Sequence, residues 1–184
     1  AMNDKENFYQ KSPTALYNGM IHPLIPFTIK GVIWYQGEAN RKNPAQYTKL
    51  FPGMISSWRR LWKQGNFPFY YVQIAPFSWG KNNELLRESQ LKVMEILPNI
   101  GMAVTMDIGE STCIHPAQKL VVGKRLAYWA LAKDYGQEAL VYSGPLFEKA
   151  EMHSPKVVMS FTQTGSGLMS KPDGLVEGFE IAGA

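Results

Sequence analysis

Three apolar runs, each followed by a longer segment of helical periodicity, dominate the chain up to Gly136. Thr28 to Tyr35 reads Thr-Ile-Lys-Gly-Val-Ile-Trp-Tyr, and its unbroken apolar character predicts a strand covered on both faces, as in a parallel sheet. Asn43-Pro44 opens a helical pattern that reaches Lys63, with an interruption expected at Pro52-Gly53. Phe69 to Ala75 reads as a second strand and Asn82 to Leu97 as a second amphipathic helix, bounded by Pro98. Gly101 to Asp107 gives a third strand. A third long helix is expected from Pro116 to about Tyr135, stopped by Gly136. Strand and helix in strict alternation specify an α/β fold with a parallel sheet. Right-handed crossovers then bring the carboxyl ends of all three strands to one rim, where ligands of open α/β sheets bind.

The ends read differently. Residues 1–11 are polar and expected to be loose, with Ala1-Met2 resembling a tag remnant before a start methionine. Ser12-Pro13 reads as an N-cap and first helical proline of a short helix to Met20. After Gly136, strand-like pieces at Val141-Tyr142, Val157–Phe161 and Phe179–Ile181 lie between Gly, Ser and Pro, which predicts a β-rich extension over residues 137–184, cut off inside it. The expected organisation is therefore a loose start, a partial α/β domain over 12–136, and that extension.

Bulk properties remove several function classes. With 45% hydrophobic residues, 184 residues bury a real core. The net charge of +4 comes from scattered groups such as Arg41-Lys42, Arg59-Arg60-Lys63 and Lys124-Arg125, mostly on helical faces, so no nucleic-acid partner is expected. No apolar run approaches the roughly 20 residues a bilayer requires, and no membrane partner is expected. Cys113 is the only cysteine, so no internal disulfide can form. The three histidines show no metal-ligand spacing such as H-x-x-x-H.

Two segments carry chemistry. In Gly31-Val-Ile-Trp-Tyr-Gln36-Gly37-Glu38-Ala39-Asn40, a strand delivers an amide, a glycine and a carboxylate to the rim. A fixed amide donor suits an oxyanion hole, and glycine permits close approach of a ligand. A plain polar turn capping the strand explains the same residues equally well. In Asp107-Ile-Gly-Glu110-Ser-Thr-Cys-Ile-His115-Pro116, a histidine sits in the loop after the third strand, on the same rim. Imidazole is the usual base for activating a hydroxyl, although a lone loop histidine is more often structural. Trp79, in the loop after the second strand, is a sugar-stacking candidate, although packing explains it slightly better, while Trp58, Trp62 and Trp129 fall at core spacing. His22 reads as structural and His153 as solvated. A nucleophilic Cys113 would need a base aimed at it, and His115, two residues on in an extended loop, would face it only by accident of turn geometry.

Taken together, the two segments are more specific. Trp34-Tyr-Gln-Gly-Glu-Ala-Asn40 resembles the "WYQGE" block of sialate O-acetylesterases and related acetylxylan esterases. Ile114-His115-Pro116, with Lys119 and Val122-Gly-Lys-Arg-Leu-Ala127, resembles their histidine block. Leu16-Tyr17-Asn18 and Ser143-Gly-Pro-Leu146 extend the likeness, which runs in order from about residue 13 to the end. The resemblance implies a flavodoxin-like three-layer α/β/α SGNH hydrolase domain. It further implies removal of acetyl groups from sugar hydroxyls through a serine acyl-enzyme, without cofactor. On that basis His115 is the base, Gln36 an oxyanion donor with Gly37 shaping the turn, and Asn40 a substrate contact. An exported location, periplasmic or extracellular, is likewise implied by the resemblance alone.

Two departures qualify this. The family's nucleophile belongs to a "GQSN" block upstream of the glutamine block, and no serine here has that context. Ser56, Ser57 and Ser89 fall in helical stretches, Ser143 and Ser166 in the tail, and Gly165-Ser-Gly167 lacks the spacing of a nucleophile elbow. The chain is thus expected to supply base and oxyanion donor but not the serine, and to be inactive alone. The alternative is an inactive remnant or carbohydrate-interaction module. The second departure is Thr112, where many relatives place the aspartate that orients the histidine. Glu38 is the first choice for that task, with Asp107, Glu110 or a backbone carbonyl as alternatives. Without upstream strands, Val32-Ile33-Trp34 would form a bare sheet edge, inviting self-association.

Overall fold

The computed structural model describes residues 12–78, 82–170, 174 and 178–179. Its first sheet has three parallel strands in the order β1 (Val32–Trp34), β2 (Phe69–Val72), β3 (Ile100–Ala103). Helix α1 (Pro44–Trp62) connects the first two strands and α2 (Asn83–Ile96) the next two. Helix α3 (Lys119–Asp134) follows the third. The α/β class and the parallel pairing are as the alternating pattern predicts.

β2 is the central strand and is buried along its whole length. Phe69 and Tyr71 face α1 and α2 and join Tyr47, Phe51, Ile55, Leu86, Val93 and Met102 in one apolar cluster. Phe51 is its hub, with ring centroids 5.0 Å from Tyr71, 5.1 Å from Tyr47 and 5.9 Å from Phe69. Tyr70 and Val72 point the other way and are buried too, so both faces of β2 are covered. β1 is the exception to the expected two-sided cover. Val32 and Trp34 are half-buried, but Ile33 is 69% exposed. Edge position alone is not the reason, since β3 also has one neighbour among the described strands and is buried; Val32 and Trp34 pack on the core cluster, and Ile33 points to the opposite face.

Two expected breaks fall elsewhere. α1 runs straight through Pro52-Gly53. Proline removes one helical hydrogen bond and costs about 3 kcal/mol or more in a helix interior. Against that, Tyr47, Phe51, Ile55 and Trp62 lie buried along the same helix, each worth roughly 1.5–3 kcal/mol, so packing outweighs propensity. Proline at the first position opens α1, as read, and Lys63 in the left-handed region closes it. The third helix starts at Lys119, not Pro116: the chain turns tightly at Ala117, whose carbonyl accepts from the Lys119 N–H at 2.7 Å, and helical bonding begins only with the Gln118 carbonyl. Near the start, the short helix is a π turn over Tyr17–Ile21 that runs on into a 3₁₀ turn at His22–Leu24, past the stop expected at His22-Pro23.

The chain divides inside α3 into two compact units, the first ending at Leu126. The second holds an antiparallel hairpin of β4 (Leu146–His153) and β5 (Lys156–Thr162), with an irregularity between Phe147 and Lys149. Val141-Tyr142 is not a strand. Tyr142 packs against Trp129 with the rings tilted, centroids 4.5 Å apart, and receives the Lys133 ammonium over its ring. Phe179 is not in a strand either, and Glu180–Ile181 lie outside the described residues.

Candidate active site

The β1–β2 ladder ends at the Trp34–Tyr71 pair, so Tyr35, Gln36 and Gly37 leave the sheet at its carboxyl rim. Gln36 is half-buried. Its Nε2 donates to Asn40 Oδ1 at 2.7 Å, across the single 3₁₀ turn Glu38–Asn40. One Nε2 proton is thereby used and the second has no acceptor among the described residues, which is what an amide offered to a ligand requires. The Gln36 carbonyl accepts from Tyr47 Oη at 3.2 Å and from Gln90 Nε2 at 3.4 Å. Gly37 is buried against Ile74 and Gln90. A β-carbon there would stand 2.9 Å from Ile74 Cγ2, so glycine is a packing requirement.

His115 is exposed in the loop after β3, and its imidazole makes no hydrogen bond to a described residue. The loop around it is nonetheless tied down. Glu110 accepts from the Ala117 N–H across the His115-Pro116 step, and Cys113 Sγ donates to the His115 carbonyl at 3.3 Å. Gly109 lies so close to Pro76 that a β-carbon would fall 2.6 Å from the Pro76 carbonyl oxygen. The Ser78 N–H donates to the Ser111 carbonyl at 3.0 Å, joining the loops after β2 and β3.

Three carboxylates were candidates to orient the imidazole, and none is hydrogen-bonded to it. Asp107 is engaged with both oxygens by Arg125, at 2.7 and 2.6 Å, and that guanidinium also donates to the Val104 carbonyl. The Arg125 hydrogen bonds hold the Asp107 carboxyl below the usual carboxylate range, while the pair raises Arg125. Glu110 is committed to Ala117. Glu38 alone keeps a carboxylate with no hydrogen bond among the described residues. Tyr35 feels it: burial first, and then the Glu38 charge, raise the phenol. Tyr47 is pushed up to about 12, chiefly by burial. Trp79 lies outside the described residues.

The glutamine and histidine blocks meet through the first residue of α3. The Lys119 ammonium stands over the Tyr35 ring, 4.9 Å from its centroid, a cation–π contact. Sequence reading missed Gln90, Tyr47 and the Asp107–Arg125 pair. A signal existed for Gln90, an amide within the buried stripe Leu86-Ser89-Gln90-Val93 of α2.

A parallel α/β unit with an amide-bearing turn after one strand and a histidine loop after another has the layout of an esterase domain. The profile of the family described as "Carbohydrate esterase, sialic acid-specific acetylesterase" matches residues 4–132. The chain belongs to that family of carbohydrate esterases. It is 34% identical over 190 aligned residues to the sialate O-acetylesterases of Homo sapiens and Pongo abelii, covering 92% of this chain and 36% of each relative. The crystal structure of a carbohydrate acetylesterase from Xanthomonas citri superposes with a TM-score of 0.77 at 45% identity, over 82% of this chain and 36% of that one. The chain thus spans little more than a third of the proteins it resembles.

Proposed function

We propose that this chain is the histidine- and amide-bearing portion of a carbohydrate O-acetylesterase acting on acetylated sugars of the sialate type. The nucleophilic serine comes from a segment outside these 184 residues. Residues 12–136 then form the hydrolase portion and 137–184 an extension. His115 takes the serine proton as Oγ attacks the acetyl carbonyl, and the second Nε2 proton of Gln36 stabilises the oxyanion. His115 next protonates the departing sugar hydroxyl. A water activated by the same imidazole then releases acetate from the serine. Glu38, whose carboxylate has no other described partner, orients the imidazole.

The observation that carries this reading is the Lys119–Tyr35 contact, which joins the histidine loop to the turn bearing Gln36. Two exposed serines, Ser78 and Ser111, also belong to this rim, but neither stands in a nucleophile-elbow setting. The 184-residue chain is therefore expected to resist labelling by a fluorophosphonate. Joined to a serine-bearing segment, it is expected to release acetate from an O-acetylated sialic acid. Gln36→Ala should then lower turnover by about 10²–10³, the value of one oxyanion donor. Labelling of Ser78 or Ser111 in the isolated chain, abolished by His115→Ala, would overturn the external-serine mechanism.

A further inference from the structure

Gln90 is fully buried on α2, flanked on the same face by Leu86 and Val93, where a leucine would serve packing as well. An amide costs free energy at such a position unless every polar atom is satisfied. Gln90 meets that condition with main-chain groups from two other elements. Its Oε1 accepts from the Ile74 N–H at 2.9 Å, and its Nε2 donates to the Val72 carbonyl at 3.3 Å and the Gln36 carbonyl at 3.4 Å. Its own carbonyl accepts from Tyr71 Oη, which fixes this turn of α2 against β2.

These partners lie just where sheet pairing stops. The last β1–β2 pair is Trp34–Tyr71, so beyond it no ladder bond among the described residues holds Gln36. The Gln90 amide bridges the two chain continuations in the ladder's place, while Tyr47 Oη supports the same Gln36 carbonyl from α1. With that carbonyl fixed, the Gln36–Gly37 peptide plane is fixed, and Asn40 holds the side chain that departs from it.

We infer that Gln90 is a positioning residue for the esterase reaction, locking the Gln36–Gly37 turn so that the Gln36 amide is preorganised for the oxyanion. The inference rests on the proposed role of Gln36. Its test therefore has one readout that needs no activity and one that does.

In the ¹⁵N-labelled 184-residue chain, Gln90→Met should shift the Gly37 amide and the Gln36 side-chain amide, and speed hydrogen exchange at Ile74 at least about tenfold. Gln90→Asn draws the amide back by about 1.5 Å and should do the same more mildly, which covers a Met variant that fails to fold. In the serine-bearing protein, either variant should lower kcat, by up to about 10²-fold, with KM unchanged within about twofold. Unchanged Gly37 and Gln36 resonances in both variants would overturn the inference whatever the enzyme does. Unchanged kcat in the Gln90 variants, where Gln36→Ala loses activity, would overturn it while leaving the role of Gln36 standing. Unchanged kcat in all three would remove that role and this inference together.

Discussion

Gly109→Ala should destabilise the chain, while Gly53→Ala should stabilise it, although the chemical change is the same. A β-carbon on Gly109 would lie 2.5 Å from Pro76 Cδ and 2.6 Å from the Pro76 carbonyl oxygen. Carbon–carbon contacts are optimal at about 3.5–4.0 Å, so the overlap is about 1 Å. Both obstacles belong to a proline ring and a main chain, which cannot swing aside as a flexible side chain would. Overpacking of this kind costs about 1–3 kcal/mol, and the stiffer unfolded chain returns about 0.4–1 kcal/mol, leaving a net loss near 1–2 kcal/mol. Gly53 is exposed within α1, and its β-carbon would meet nothing within 4 Å. There alanine should add about 0.5–1 kcal/mol. Urea unfolding followed by tryptophan fluorescence measures both. A Gly109→Ala chain as stable as its parent would show that the histidine loop is not packed against the loop after β2 as described. In the serine-bearing protein, moving that loop by about 1 Å should also cost roughly 10² in turnover.

Two further predictions concern charge and the sheet edge. Asp107 is held below its ordinary pKa by Arg125, so the pair contributes stability above the unfolded value near 3.9 and loses it as pH falls through the folded value. Because the Asp107 side chain is 61% exposed, solvent screening limits that contribution to at most about 1 kcal/mol. Asp107→Asn should remove this share of the pH dependence on the acid side of the ordinary carboxylate range; denaturation curves with the same acid slope in both proteins would contradict it. The self-association we propose for the β1 edge predicts that light scattering finds the isolated chain associated, and that Ile33→Lys shifts it toward monomer. A monodisperse monomeric parent would refute that.

The order of elements was legible because three apolar runs alternate with three helical patterns, and the parallel sheet follows from that order. Their limits were not. Each run outlasts its strand, since the ladder stops where the chains diverge and apolar residues such as Ile74 go on packing into the core. Pro52 misleads because local propensity carries no information about how much apolar surface its neighbours bury. Pro116 misleads for a different reason: the chain turns tightly between Ala117 and Lys119 before helical bonding begins, and proline fixes only its own φ and carries no information about that turn. For the candidate site, the residues proposed to touch chemistry carried signals in their types and spacing. Those that hold them did not. Gln90 contacts main chain 16, 18 and 54 positions away, and Asp107 pairs with Arg125 across 18.

Those holding contacts share a geometry. The turn after β1 is tied to α2 and β2 by Gln90, and the loop after β2 to the loop after β3 by the Ser78–Ser111 bond and the Gly109–Pro76 contact. The loop after β3 leads into α3, whose Lys119 returns to Tyr35 on the first turn. The ties close a ring around the rim that joins the backbone of the glutamine turn to that of the histidine loop. Catalysis by preorganised groups needs such closure, because each donor must stand where charge will develop before it does. A substitution at one tie should therefore be felt at another: Gly109→Ala, made on the histidine side, should move the Gly37 amide resonance on the glutamine side. An effect confined to residues 107–117 would mean that the two blocks adjoin without being coupled.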